Sequence, residues 1–275
     1  MNFSVLMSVY ARDSPDYLNQ CLNSLVSQSL KADEVILVED GEVTPEITGV
    51  IEAFRLELNI ISVQLSKNMG LATALNEGLK ICKNNLVARM DSDDIALPER
   101  FKKQTDLFTS NPFFEILGGG AQEVNTKGKL GSMRIMPKSH DAIISNMFAC
   151  PLIHPTIMFR KDTVLSVGGY NPFLKRRQDY DLWFRCAKAG CYFENIPEPL
   201  ILYRFSSQTH KRQSKKALFK QGMIGFKGTR SLKQPIWKGL ACFFPLVRSM
   251  LPNYLEHFLY KVSGSFDPRR QGSAK

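Results

Sequence analysis

Four short β-rich runs, at residues 3–8, 34–38, 60–65 and 86–90, are separated by segments of helical period. The segment 15–28 carries Leu18, Leu22, Leu25 and Val26, residues 45–57 follow a turn, and residues 71–83 place Leu71, Leu75, Leu79 and Cys82 on one face. Strands alternating with helices make βαβ units, whose right-handed crossovers demand a mostly parallel sheet covered on both faces. The pattern holds to about residue 111. It constrains function as well as fold, because such sheets bind ligands at the carboxyl ends of their strands.

Beyond residue 111 the alternation breaks at Gly118, Gly119 and Gly120 and a polar stretch that runs to about Lys138. A helix at 140–148, a strand at 156–160, a short helix from Asp162, a helix at 179–189 and strands at 192–196 and 200–205 complete a mixed α+β half. The expected division is a nucleotide-binding half at 1–111, a second half at 112–205, and an extension at 206–275. The 275 residues suffice for one large core plus a modest appendage.

The fourth apolar run ends in Asp91, Ser92, Asp93 and Asp94. Three carboxylates so close together cost free energy unless a cation or several hydrogen bonds compensate them. One or two carboxylates plus substrate phosphates is the usual way to hold Mg²⁺ or Mn²⁺, so the stretch suggests a metal–diphosphate site. The alternative is an acidic turn, with Asp93 or Asp94 capping a helix that begins near Pro98.

Charge is unevenly spread. From Arg204 onward lie 15 of the 36 Lys and Arg residues but only 2 of the 26 Asp and Glu residues. Lys211, Arg212, Lys215, Lys216, Lys220, Lys227, Arg230, Lys233 and Lys238 lead into the apolar run 236–247, which Lys238 and Pro245 interrupt. That run is too short to span a bilayer. A basic segment followed by an aromatic-rich one instead suits attachment to an anionic leaflet, each Lys or Arg adding about 1 kcal/mol; a helix pair packed on the domain is the alternative. No nucleic-acid-binding fold is recognisable. Six cysteines without a Cys-x-x-Cys pair suit a reducing compartment, and residues 3–10 read as a strand and not as a signal peptide, so the expected location is cytoplasmic.

Five segments in order carry a family likeness: residues 4–10, residues 35–41 ending in Asp40 and Gly41, Asn68-Met69-Gly70 through Asn76, Asp91 to Asp94, and Gln178-Asp179-Tyr180-Asp181-Leu182-Trp183. Together they resemble family 2 glycosyltransferases of the GT-A fold, in particular bacterial members that build O-antigen, capsule or exopolysaccharide repeat units. The likeness covers about residues 3 to 205.

The resemblance implies that Asp40 accepts the uracil imide of a UDP-sugar, with Ser8 and Tyr10 lining the same nucleoside pocket. Glu39 stands where the family has Asp, and Leu75 where it often has Arg. Gly70 and Asn76 match a helix that begins near the nucleotide, and Asp91 belongs with them as a UDP-sugar contact. Asp93 and Asp94 match the metal motif, with either as direct ligand to Mn²⁺ or Mg²⁺. Asp179 matches the catalytic base, with a simple helix cap as its other reading. His154 and the segment Gly168-Gly169-Tyr170 resemble residues bordering the acceptor site, and Trp183 is a further candidate contact there. Arg204, at the end of the last expected strand, is positioned for a phosphate or is a surface residue.

The family's processive members carry a Gln-x-x-Arg-Trp motif that is missing here. The expected activity is therefore inverting, non-processive transfer of one hexose or N-acetylhexosamine from a UDP-sugar. The acceptor is expected to be a lipid-diphosphate-linked saccharide of the undecaprenyl-diphosphate type, met at the inner face of the cell membrane. A sugar-phosphate nucleotidyltransferase and a non-catalytic nucleotide-sugar-binding protein are the rival classes.

Overall fold

The computed structural model describes residues 1–204 and 214–250. The expected strand end at Phe205, the basic Lys211 and Arg212, and residues 251–275 lie outside the described residues. The four apolar runs become β1 (Ser4–Val9), β2 (Glu34–Glu39), β3 (Ile60–Gln64) and β4 (Leu86–Arg89), parallel in the order β3-β2-β1-β4. The crossovers are α1 (Pro15–Val26), α2 (Pro45–Phe54) and α3 (Leu71–Ile81). Ser14 Oγ accepts the Tyr17 N–H at 3.4 Å and Thr44 Oγ1 accepts the Ile47 N–H at 3.4 Å, so α1 and α2 begin at capped prolines.

Alternate residues of β1 enter different cores. Val5, Met7 and Val9 pack with Leu18 and Leu22 on one face, and Leu6 packs with Leu75 and Leu79 on the other. A strand buried on both faces needs a continuous apolar run, which is why β1 lacks polar alternation.

After β5 (Ile95–Ala96) and α4 (Arg100–Ser110), the alternation breaks as expected, while the sheet itself continues. The glycine run lies inside β6 (Ile116–Val124), with β7 (Leu130–Arg134) paired against it. A Cβ at Gly119 would lie 2.4 Å from Leu200 Cδ1, and one at Gly120 2.6 Å from Arg134 O, so close packing is what the glycines permit. The two strands expected at 192–196 and 200–205 are one, β9 (Phe193–Arg204). Its register against β6 slips between Gly119↔Ile196 and Gly120↔Pro199, and that bulge accommodates Pro197 and Pro199 without ending the strand. With β8 (Met158–Arg160), the order along the whole sheet is β3-β2-β1-β4-β8-β6-β9-β5.

The second half adds α5 (His140–Ser145), α6 (Lys161–Ser166) and α7 (Gln178–Lys188). The tail folds into α8 (Lys215–Ser231), α9 (Ile236–Ala241) and α10 (Phe244–Ser249). Glycines on one face of α8 let it lie close to its neighbours: a Cβ at Gly228 would fall 2.2 Å from Phe184 Cγ of α7, and one at Gly225 2.6 Å from Cys242 Sγ. α8 therefore rests on α7, and α9 and α10 pack in turn on α8.

Candidate active site

β1, β2 and β4 all end at one edge of the sheet, and the strand order reverses between β1 and β4. The chain beyond those ends supplies the site. A cavity of ≈ 500 Å³ opens between the β1 and β2 ends, lined by Tyr10, Arg12, Asp40, Glu42 and Asn68 among others. That volume suits a nucleoside.

Asp40 lies at the pocket wall with both carboxylate oxygens already engaged. Oδ1 accepts the Met69 N–H at 2.6 Å and Oδ2 the Gly70 N–H at 2.9 Å. The anion expected at the start of α3 is thus partly supplied by the protein: Asp40 faces the positive end of that helix, whose N-cap is Gly70 at φ +89°. Ser8 is half-buried on β1, and Tyr10 is exposed in the following loop. Glu39 turns aside, accepting a hydrogen bond from Gln64 Nε2 at 3.3 Å.

Past β4 the chain turns, with the Asp94 N–H directed at Asp91 O across 3.5 Å. The carboxylate oxygens of Asp91, Asp93 and Asp94 come within 4.8 Å of one another. The capping alternative fails here, because α4 starts at Arg100 with Glu99 as N-cap and no side-chain cap. Asp93 is exposed while Asp94 is 1% exposed. Asp94 Oδ1 accepts the Arg204 N–H at 2.8 Å, whereas Asp94 Oδ2 is buried without a hydrogen-bond partner. A buried carboxylate oxygen without a donor, within reach of two further carboxylates, fits a hard divalent cation.

Protein cations offset part of this charge. Arg89, 1% exposed, donates to the carboxylate of Asp91 and to Met90 O. Arg100 Nη2 donates to Arg89 O at 2.6 Å and so holds the strand end from beneath. Arg204 is neither a surface residue nor a free phosphate ligand: it is buried, its Nε donates to Asp93 O at 2.8 Å, its Nη2 to Gln20 Oε1 at 2.9 Å, and its guanidinium lies 3.8 Å from the Tyr17 ring centroid. Partial loss of hydration within the carboxylate corner, then the charge of Asp91, raises the Asp93 carboxyl to about 6, and full burial with the same charge pushes Asp94 well above the usual range.

Asp13 joins the corner unannounced. Its Oδ2 accepts from Ser92 Oγ at 3.0 Å and from the Tyr10 N–H at 3.2 Å, and burial raises its carboxyl to about 6. It ties the nucleoside loop to the acidic turn. Only an arginine inside an apolar strand run, Arg89, hinted in sequence at the charge compensation beneath it.

Asp179 stands in the first turn of α7, after Gln178, while the N-cap is Arg177 in the left-handed region at φ +62° without a side-chain cap bond. Simple capping by Asp179 is therefore excluded. Burial raises its carboxyl, the Arg177 charge is the leading influence in the other direction, and Asp91 raises it further.

Three expected site residues have other partners. Asn76 makes a two-bond ring with Tyr170, its Nδ2 donating to Tyr170 O at 2.7 Å and its Oδ1 accepting the Tyr170 N–H at 2.8 Å, so it braces the Gly168–Tyr170 turn. His154 is buried, with Nε2 2.8 Å from Tyr170 Oη, and burial pushes its basicity well below normal. Trp183 is 1% exposed and packs on His154 with ring centroids 6.1 Å apart. Neither presents a surface to an acceptor.

A two-faced α/β sheet with an acidic crevice at its switch point is the architecture of nucleotide-dependent enzymes. The particular family follows from the sequence comparison: residues 4–167 match the model described as Glycosyl transferase family 2, and the chain belongs to that family. It is 36% identical over 262 residues to the amylovoran biosynthesis glycosyltransferase AmsE of Erwinia amylovora, covering 94% of this chain and 98% of that one. Over 213 residues, 77% of each chain, it is 39% identical to the UDP-Gal:alpha-D-GlcNAc-diphosphoundecaprenol beta-1,3-galactosyltransferase of Escherichia coli. Among solved structures, S. aureus TarS 1-349 in complex with UDP-GlcNAc matches with a TM-score of 0.68 at 17% identity, covering 97% of this chain and 76% of TarS. The mannosyltransferase PcManGT from Pyrobaculum calidifontis, in complex with GDP-Man and Mn2+, matches with 0.63 at 14% identity, covering 99% and 83%. The fold is GT-A, as the motif order implied, and family membership sets aside the nucleotidyltransferase class.

Proposed function

We propose that the protein transfers one hexose or N-acetylhexosamine, with inversion, from a UDP-sugar to a lipid-diphosphate-linked saccharide in surface-polysaccharide synthesis. The observation that carries this reading is the acidic turn itself, where the carboxylates of Asp91, Asp93 and Asp94 come within 4.8 Å of one another past the end of β4. The relationship to AmsE and to the E. coli galactosyltransferase supports the substrate class. Tyr10 lines the nucleoside cavity, Ser8 lies near it at the end of β1, and Asp40 orders its wall by holding the amides of Met69 and Gly70.

Asp91, Asp93 and Asp94 would hold Mn²⁺ or Mg²⁺, and the chemistry supplied by such an ion is neutralisation of the leaving diphosphate. Asp179 takes the proton of the acceptor hydroxyl as its oxygen attacks C1, opposite the UDP, which inverts the anomeric centre. A base so placed is worth about 10²–10⁴ in rate. Arg89 and Arg204 keep the acidic turn in one geometry while the charge on UDP grows.

The tail supports a site of action at an anionic leaflet, with residues 206–275 as the attaching extension. Among the described residues no helix is long and apolar enough to cross a membrane. Instead Ile236, Trp237, Leu240, Phe244 and Val247 are all exposed on α9 and α10, beside Lys238 and Arg248. Such a ridge fits an interface.

The test is UDP release from a panel of UDP-sugars with Mn²⁺ and a synthetic N-acetylhexosamine diphosphate-lipid. Release that depends on acceptor, and that Asp179→Asn abolishes while UDP still binds, is the expected result. Full transfer by Asp179→Asn would overturn the assignment of the base.

A further inference from the structure

The loop before α7 carries features that the reaction just described does not use. Residues 171–174 form a tight turn, with the Leu174 N–H donating to Asn171 O at 3.1 Å and the Phe173 N–H to Asn171 Oδ1 at 3.1 Å. The turn leaves Phe173 92% exposed. Lys175, Arg176 and Arg177 follow consecutively. Lys175 and Arg176 are exposed, and among the described residues neither has an ion-pair or hydrogen-bond partner. Lys175 and Arg176 are adjacent cations without a carboxylate partner and repel one another, and the left-handed backbone at Arg177 is one that a non-glycine residue adopts only under constraint. Both costs are borne two residues from the candidate base.

A second observation lies within the first turn of α7. Gln178 is 6% exposed, yet its Oε1 is buried with no hydrogen-bond partner. A buried amide acceptor without a donor leaves an unmet hydrogen bond beside Asp179 that the chain itself does not fill. Site and basic loop are also tied to the exposed apolar ridge: Tyr180 Oη donates to Phe148 O at 2.9 Å, and Phe148 packs edge-on against Trp237 with ring centroids 5.7 Å apart.

We infer that residues 173–178 form the acceptor subsite, in which Lys175, Arg176 and Arg177 bind the acceptor's diphosphate, Phe173 meets its lipid, and Gln178 Oε1 accepts a hydroxyl of its sugar. The order along the chain matches the order along such a molecule. Apolar lipid meets an exposed aromatic ring, diphosphate meets three cations, and sugar meets an amide beside Asp179. Guanidinium groups suit this role because they pair with phosphate oxygens two at a time. The subsite rests on the acceptor class proposed above.

Its test is calorimetric binding of two soluble ligands, dodecyl N-acetylglucosaminyl diphosphate and dodecyl N-acetylglucosaminide, each below its micellar concentration and in the presence of UDP and Mn²⁺. Wild-type protein is expected to prefer the diphosphate, and the double variant Lys175→Ala/Arg176→Ala to bind it about tenfold more weakly, with the neutral ligand little changed. Co-sedimentation with anionic phosphatidylglycerol vesicles separates the acceptor from lipid headgroups as the source of diphosphate-like charge. A wild-type preference that survives both substitutions overturns the subsite alone, as does a double variant that loses only vesicle binding. Wild-type protein that binds both ligands equally, or neither, overturns the acceptor class and the subsite with it.

Discussion

Arg204 closes on Asp94 from 110 positions downstream, its backbone N–H donating to Asp94 Oδ1 at 2.8 Å. Its side chain continues the contact to Asp93 O and Gln20 and stacks on Tyr17. The last strand of the sheet thereby holds the acidic turn that follows the fourth. Arg204→Met preserves the backbone bond but removes the charge. We expect a loss of about 2–3 kcal/mol in stability, the value of charged hydrogen bonds to a buried partner, and weaker Mn²⁺ binding. Denaturant unfolding together with Mn²⁺ titration by calorimetry checks this; unchanged Mn²⁺ affinity would show that the turn holds its shape without the guanidinium.

Acidity at Asp179 is set by opposing neighbours. Burial raises its carboxyl, and Arg177 is the leading group that lowers it. A base works only when deprotonated, so the acidic limb of kcat/KM should lie above the normal aspartate range. Arg177→Gln removes the main lowering charge and should move that limb to higher pH, read from the pH profile of UDP release.

Without a metal ion, the acidic corner favours protons. The carboxyls of Asp13 and Asp93 are both raised to about 6 from 3.8. In that interval the folded chain binds more protons than the unfolded chain, so stability should fall as pH rises from about 4 to about 6. Added Mn²⁺ should offset the loss above pH 6, where the carboxylates are free to bind it. Thermal unfolding across this range with and without Mn²⁺ reads both effects. A metal-free protein that gains stability through this interval would contradict the assignment.

The exposed ridge on α9 and α10 should govern association with membranes. Trp237→Ser/Leu240→Ser alters residues that are exposed, so folding should be retained. Co-sedimentation with anionic vesicles is expected to fall about tenfold or more, since each fully buried large apolar side chain is worth about 1.5–3 kcal/mol. Unchanged sedimentation would place the attachment elsewhere.

Much of the first half was legible. Helical period and apolar runs located β1 to β4 and α1 to α3 to within a few residues, because those signals are local. The glycines of β6 misled for a physical reason: glycine ordinarily interrupts a strand, and only contact with Leu200 and Arg134 makes it necessary there. Likewise the strands expected at 192–196 and 200–205 are one, because a register slip accommodates Pro197 and Pro199.

Residue chemistry alone pointed to the carboxylates of the acidic turn and their need for compensation, and the order of motifs disclosed the family. Which group supplies that compensation from afar depended on tertiary structure, since Arg204 meets Asp93 and Asp94 across a long stretch of chain. The same applies to His154, Trp183 and Asn76, which sequence placed at the site and folding placed in the core or in a brace for Tyr170. Local sequence sets periodicity and charge; burial and hydrogen-bond partners arise from distant segments brought together, and these decide which polar groups remain available to a ligand.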